Sequence, residues 1–327
     1  MDNIAVIGSG AWGTALATIA AKRFSRVNII TRNVQVISDI NNLHENKLYL
    51  PSITLPESII ASSDYNLAKH AEILIIAIPA QHIREVLANF SYDNFNKTII
   101  ICSKGVEQNS LKLMSEVVSE ILPAAKVAIL SGPNFAHEVA SNFPSAATIA
   151  ASDLTLANFI ADKLNNEMFR IYTSDDIIST QICGAAKNVL AIACGIVMGK
   201  KFGENAKAAL ITRGIAEIGR LSIAKGGNIK TMLGLGGIGD IMLTCNSAKS
   251  RNTSLGIELA QGANLEDIIK KRHTVAEGVT SAASIRLMAN KLNISMPIIE
   301  AVAKILFEKK DINQIIEELL KRPSSNE

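Results

Sequence analysis

Four uninterrupted aliphatic residues, Ile4, Ala5, Val6 and Ile7, run straight into Gly8-Ser9-Gly10-Ala11-Trp12-Gly13. A short continuous apolar run is the pattern of a strand buried on both faces of a parallel sheet. Glycines spaced G-x-G-x-x-G behind it permit a tight turn, close approach of backbone N–H groups to an anion, and close packing of the next helix on the strand. Helical periodicity over residues 14–23 and a second apolar run over 27–31 complete a strand, helix, strand unit. Such a unit commits the chain to a parallel sheet with right-handed crossovers.

Further apolar runs over residues 73–78, 98–102 and 127–130 are closed by Pro, Gly or Ser and mostly separated by helical stretches, which predicts a doubly wound sheet. From residue 181 the apolar positions recur at helical spacing, with helices expected over 180–197, 206–224, 281–292 and 298–308. The expected fold is therefore α/β: an N-terminal Rossmann sheet over residues 1–178 and an all-helical C-terminal unit over 179–327. The polar end from Lys321 onward is expected to fray.

With 48% hydrophobic but only 4% aromatic residues, the core must be filled by Ile, Leu, Ala and Val. The net charge of +3 is spread along the chain without a basic block, which argues against a nucleic-acid partner. Cys102, Cys183, Cys194 and Cys245 lie far apart and none is spaced for metal binding with the histidines, so neither a disulfide framework nor a metal is expected. The N-terminus has no basic leader. The uncharged apolar stretch over 189–199 falls short of the ~20 residues that span a bilayer. A cytoplasmic location without membrane insertion is the expectation.

The G-x-G-x-x-G pattern occurs twice, at Gly8, Gly10 and Gly13 and again at Gly234, Gly236 and Gly239. Only the first follows a buried strand and opens a helix, so it is read as the dinucleotide loop, the helix directing its positive end at the phosphates. The second is read as a structural turn. After the second strand comes Arg32, where an NAD-selective domain commonly has an acidic residue on the ribose; Arg32 either faces a 2′-phosphate or is a solvated loop residue.

Lys187 stands in an otherwise small and apolar helix, where burial would favour the neutral amine, although a lysine at the helix edge can also snorkel to water. Asp240 and Thr244, at i and i+4, share a helix face, and Ser250-Arg251-Asn252 clusters donors suited to a phosphate. Helix capping by Asp240 and Ser250 beside a surface arginine is the competing reading. Lys104 and Ser131-Gly132-Pro133-Asn134 follow strands at their carboxyl ends, the ligand-binding edge of open α/β sheets, or serve as turn residues.

Taken together the chain resembles the bacterial NAD(P)-dependent glycerol-3-phosphate dehydrogenase family from Gly8 to Glu277. The matching motifs are residues 8–17, Ser-Lys-Gly-Val-Glu at 103–107, Ser-Gly-Pro-Asn-Phe-Ala at 131–136, Ala-Ala-Lys-Asn-Val at 185–189, Ser-Arg-Asn at 250–252 and Val-Ala-Glu-Gly at 275–278. The resemblance implies reversible reduction of dihydroxyacetone phosphate to sn-glycerol 3-phosphate with NADH or NADPH, supplying phospholipid synthesis. It implies Lys187 as proton donor and acceptor, and Lys104, Gly132, Asp240, Thr244, Ser250, Arg251 and Asn252 beside it as substrate ligands. Cofactor contacts are implied for Gly8, Gly10, Ala11, Trp12, Gly13, Arg32, Lys104, Ala136, Arg251, Val275 and Glu277. A homodimer is the common default for such enzymes. A 3-hydroxyacid or phosphogluconate-type dehydrogenase is the nearest rival, and a non-catalytic dinucleotide sensor the rival from another class. The 250–252 anchor speaks against the first, and Lys187 with Asp240 against the second.

Overall fold

The computed structural model describes residues 3–90, 95–272 and 276–323. Eight strands form one sheet: β1 (Asn3–Ile7), β2 (Arg26–Ile30), β3 (Ile59–Ser62), β4 (Ile73–Ile76), β5 (Thr98–Ile101), β6 (Lys126–Ser131), β7 (Ser145–Ala150) and β8 (Phe169–Ser174). Their order is β3-β2-β1-β4-β5-β6-β7-β8. Strands β1 to β6 are parallel; β7 runs antiparallel to β6, and β8 parallel to β7. The order reverses between β1 and β4, so a crevice opens at their carboxyl ends. Gly8 lies there, and a Cβ on it would come within 2.5 Å of the Ala77 carbonyl oxygen just past β4.

The five expected strands are the ones whose side chains are buried almost throughout, as β4 and β5 illustrate. Three strands escaped the sequence reading for physical reasons. Strand β3 is an edge strand with an alternating, partly exposed pattern. The Ser-Ala-Ala-Thr-Ile-Ala sequence of β7 is buried through small residues of low strand propensity. At the other edge, β8 exposes Arg170 and Tyr172, with the guanidinium 5.4 Å from the ring centroid. The first helix spans Ala11–Ala20, starting three residues before the expected 14, because Gly10 takes the extended N-cap conformation immediately ahead of it.

After Ser174 the described residues form helices only. The helix Ile177–Gly199 is the axis of this half, buried without interruption from Ser179 to Ile196. Asp176 caps it, accepting from Ile178 and Ser179 N–H groups at 3.1 and 2.8 Å. By length and composition this helix could cross a bilayer, which the count of the 189–199 stretch alone did not register. In the fold, 83% of its apolar window is buried against protein. The helices Gly203–Ala224, Asp240–Asn246, Arg251–Ala260, Glu277–Lys291 and Pro297–Phe307 pack around it.

The helix Arg251–Ala260 approaches most closely, because glycines meet at the crossing. A Cβ at Gly195 would lie 2.1 Å from the Thr253 carbonyl oxygen, and one at Gly256 would lie 2.1 Å from that of Ile192. Backbone therefore touches backbone, and Asn252 is delivered beside Asn188 on the axial helix.

Candidate active site

The carboxyl edge of the sheet meets the axial helix at a buried charge cluster. Lys187 is 7% exposed and Asp240 1% exposed. The Lys187 Nζ donates to Asp240 Oδ1 and, at 2.9 Å, to Thr244 Oγ1. The Lys104 Nζ, reaching in from the loop after β5, donates to Asp240 Oδ2 and, at 3.0 Å, to Ser131 Oγ at the end of β6. Its stem crosses Gly184, where a Cβ would sit 3.5 Å from Lys104 Cδ. Two ammonium groups thus share one carboxylate, leaving one positive charge in excess.

The electrostatics follow from this count. Burial pushes Lys187 down to about 8, reinforced by the Lys104 charge and opposed by Asp240. Burial alone would raise the Asp240 carboxyl, but Lys104 and Lys187 outweigh it and hold the group below its ordinary value. Glu277 opens the helix Glu277–Lys291, and burial raises its carboxyl against the pull of Arg251, Lys104 and Lys187.

Asp240 therefore does not act as the helix cap that its position allowed; its side chain turns to the lysines. Ser250 does cap, accepting from the Thr253 N–H at 3.3 Å, and the adjacent Arg251 is exposed. Asn252 is held at both ends of its amide, its Nδ2 donating to Asn188 Oδ1 and its Oδ1 accepting from the Gly278 N–H, both at 3.0 Å, which leaves the second Nδ2 hydrogen to donate elsewhere. Gly132 follows β6 where a Cβ would meet the Ala147 Cα at 2.9 Å, so that turn has no room for a side chain. Beside it, Asn134 donates to the Ala146 carbonyl at 2.9 Å, while its Oδ1 is buried without a partner among the described residues. Asn188 and Asn134 were not singled out as ligands, since each gains meaning only from a neighbour across the fold.

The glycine loop lies at the β1 and β4 crevice. Gly13 is closed, because a Cβ there would stand 2.1 Å from the Gly8 carbonyl oxygen, whereas Gly10 has nothing within 4 Å of an added Cβ. An open glycine at the N-terminus of the helix Ala11–Ala20 fits a pyrophosphate. Trp12 is half-buried in this helix and Ala136 begins the short helix Ala136–Ala140 packed against it. Arg32 is exposed beyond β2, and the neighbouring Asn33 is occupied in capping the next helix through the Val36 N–H at 3.1 Å. Among the described residues no group of three His, Cys, Asp or Glu could hold a metal. Val275 lies outside the described residues.

Sequence profiles agree with this geometry in both halves of the chain. The NAD-dependent glycerol-3-phosphate dehydrogenase N-terminus matches residues 3–157, and the C-terminus of the same family matches residues 176–317. The chain belongs to this family. It is similar to the glycerol-3-phosphate dehydrogenase (NAD(P)+) of Parvibaculum lavamentivorans, 46% identical over 325 residues that cover 99% of this chain and 98% of the relative. The protein of that description from Caulobacter vibrioides is 46% identical over 323 residues, 98% of each chain. The crystal structure of glycerol-3-phosphate dehydrogenase from Coxiella burnetii superposes with a TM-score of 0.93 at 35% identity, covering 98% of this chain and 99% of that one. Family membership excludes the phosphogluconate-type rival, and within the family fold the lysine and aspartate cluster occupies the seam between the two matched regions.

Proposed function

We propose that this chain reversibly reduces dihydroxyacetone phosphate to sn-glycerol 3-phosphate with NADH or NADPH, Lys187 giving and taking the proton. The observation that carries this reading is the buried Lys187–Asp240–Lys104 cluster at the carboxyl edge of the sheet that also carries the glycine loop. When bound, the nicotinamide supplies a hydride to the carbonyl carbon. The Lys187 ammonium stabilises the charge that grows on the carbonyl oxygen and then protonates it; in reverse, the neutral amine takes that proton. Asp240 and Thr244 hold Lys187 in place, and Lys104 adds the second positive charge that favours an anionic substrate.

Arg251, presented by the Ser250 cap, and Asn252 anchor the phosphate, using binding energy far from the reacting carbon to fix its position. Gly132 lets the backbone after β6 approach the same ligand. Gly8, Gly10, Ala11, Trp12 and Gly13 hold the pyrophosphate side of the cofactor; Arg32 faces a 2′-phosphate; Ala136, Val275 and Glu277 complete its surround. Residues 1–178 thus serve chiefly the cofactor and 179–327 the substrate, with Lys104 and Gly132 crossing that division. The end of β8 at Ser174 and the start of the axial helix at Ile177 support the boundary. The reading extends to a cytoplasmic homodimer supplying phospholipid synthesis, and the four buried free thiols accord with a reducing compartment.

The test follows NADPH oxidation with dihydroxyacetone phosphate against 3-oxoacids. Turnover with the triose phosphate alone is expected, and Lys187→Ala should lower kcat roughly 10²–10⁴-fold with NADPH affinity kept. Near-normal turnover by that variant would remove Lys187 from the proposed role.

A further inference from the structure

Asn46 is fully buried, yet it lies in the connection between the helix Val34–Leu43 and β3, far in sequence from any motif of the site. The connection folds back because His44 takes a left-handed conformation (φ 50°) that ends the helix and turns the chain over the glycine loop. There the Asn46 Nδ2 donates to the Ser9 carbonyl oxygen at 2.8 Å and to Thr14 Oγ1 at 2.8 Å. Thr14 Oγ1 donates to the same Ser9 carbonyl at 3.2 Å. Asn46 is itself fixed, since its Oδ1 accepts from the Tyr49 N–H at 3.2 Å and its carbonyl from the Leu50 N–H at 2.9 Å.

Two donors therefore pull one carbonyl inward. In a planar trans peptide the carbonyl and the following N–H point in opposite directions. With the Ser9 carbonyl turned into the protein, the Gly10 N–H is turned out. Among the described residues nothing accepts from it, and the space beside Gly10 is open. The Ser9 hydroxyl cannot swing into that space freely, being bonded to Thr31 Oγ1 at 2.7 Å.

We propose that Asn46 is a positioning residue for dinucleotide binding: it locks the Ser9–Gly10 peptide so that the Gly10 N–H is aimed at the cofactor pyrophosphate before the cofactor arrives. Asn46 touches no substrate and acts only through Ser9 and Thr14. The inference rests on the reading of residues 8–13 as the pyrophosphate cradle. Without Asn46 the Ser9–Gly10 peptide can rotate, and the binding-competent orientation becomes a fraction of the population, which weakens apparent affinity by that fraction.

The experiment measures dissociation constants of the unmodified protein and its variants for NADPH and for adenosine 2′-phosphate, which lacks the pyrophosphate, by titration calorimetry. Melting temperatures without ligand are recorded alongside. Asn46→Ala is expected to weaken NADPH roughly tenfold and adenosine 2′-phosphate less than twofold. In steady state the KM for NADPH rises by that factor, while kcat at saturating NADPH stays within about twofold. Asn46→Asp, which keeps the volume and the acceptor for Tyr49 but loses both donations, should weaken NADPH at least as much and lower the melting temperature, since a buried carboxyl then faces the Ser9 carbonyl. An adenosine 2′-phosphate affinity within twofold of the unmodified protein shows that the binding loss is not general unfolding. Thr14→Val, which leaves the direct Asn46 bond to Ser9, should weaken it less. An equal loss for both ligands, or NADPH affinity unchanged in Asn46→Ala and Asn46→Asp, overturns the proposal. Gly10→Val separates this from failure of the underlying reading: if it too leaves NADPH affinity intact, the cradle itself is wrong.

Discussion

Two glycine runs of identical spacing start 226 positions apart in this chain, at Gly8 and Gly234, one opening onto free space and the other packed against the protein. In the first, Gly8 and Gly13 are packed against backbone while Gly10 faces open space. In the second, every glycine has a protein neighbour: Gly234 the Thr231 carbonyl at 3.3 Å, Gly236 the Thr180 methyl at 3.4 Å, and Gly239 the Pro133 ring at 3.6 Å. The tightest site is Gly237, which the motif does not even count. A Cβ there would fall 2.2 Å from the Met232 carbonyl oxygen, at a residue whose φ of −104° and ψ of −106° break the helical turn. The second run brings Asp240 to the lysines by a kinked lead into its helix. Equal spacing thus marks two different needs for the absence of a side chain, and only the space around each glycine tells them apart.

That contrast can be broken by substitution. Gly237→Ala should have the largest effect, because backbone must move: a loss of about 3 kcal/mol in stability and a large fall in turnover as Asp240 shifts, read by thermal melts and steady-state assays. Gly10→Val should do the opposite, changing the stability of the free protein by less than about 1 kcal/mol while reducing NADPH affinity roughly a hundredfold. A stability loss at Gly10 matching that at Gly237 would erase the distinction.

The protein-facing run also sets a pH dependence, since it supplies the carboxylate beside Lys187. With the Lys187 pKa lowered to about 8, the proposed role makes the ammonium the form that supports reduction, so kcat/KM for reduction should be level below that pH and fall about tenfold per unit above it. Oxidation needs the neutral amine and should rise through the same pH. The smallest effect is expected at the ligand-facing side: Arg32→Ala should weaken NADPH about tenfold and NADH less than twofold. Equal losses would show that Arg32 does not read the 2′-phosphate.

Much of the fold was legible because central parallel strands such as residues 73–76 are buried on both faces and leave continuous apolar runs. Strand β7 was not, since Ala and Ser fill it and its burial comes from neighbours rather than from its own bulk. In the site, Lys187 stood out as a charge in an apolar helix, but its partner could not be read: Asp240 reaches it across 53 positions and reaches Lys104 across 136. Ser250 shows why two readings stayed open at the motif level. It caps a helix and at the same time presents Arg251, so the structural and the functional explanations describe one residue. Asn46 left no local signal at all, because an asparagine in a polar connection looks like a turn residue until the connection folds over residue 9.

The crossing of the axial helix with the helix Arg251–Ala260 has a consequence for how such an enzyme can diverge. Carbonyl oxygens stand where a methyl group would be needed at Gly195 or Gly256, so a single-carbon addition at either position must lever the second helix outward. The residues carried at the near end of that lever are Arg251 and Asn252. If these two residues hold the substrate phosphate as proposed, inherited changes at two buried, chemically silent glycines would shift the phosphate anchor without replacing any charged side chain.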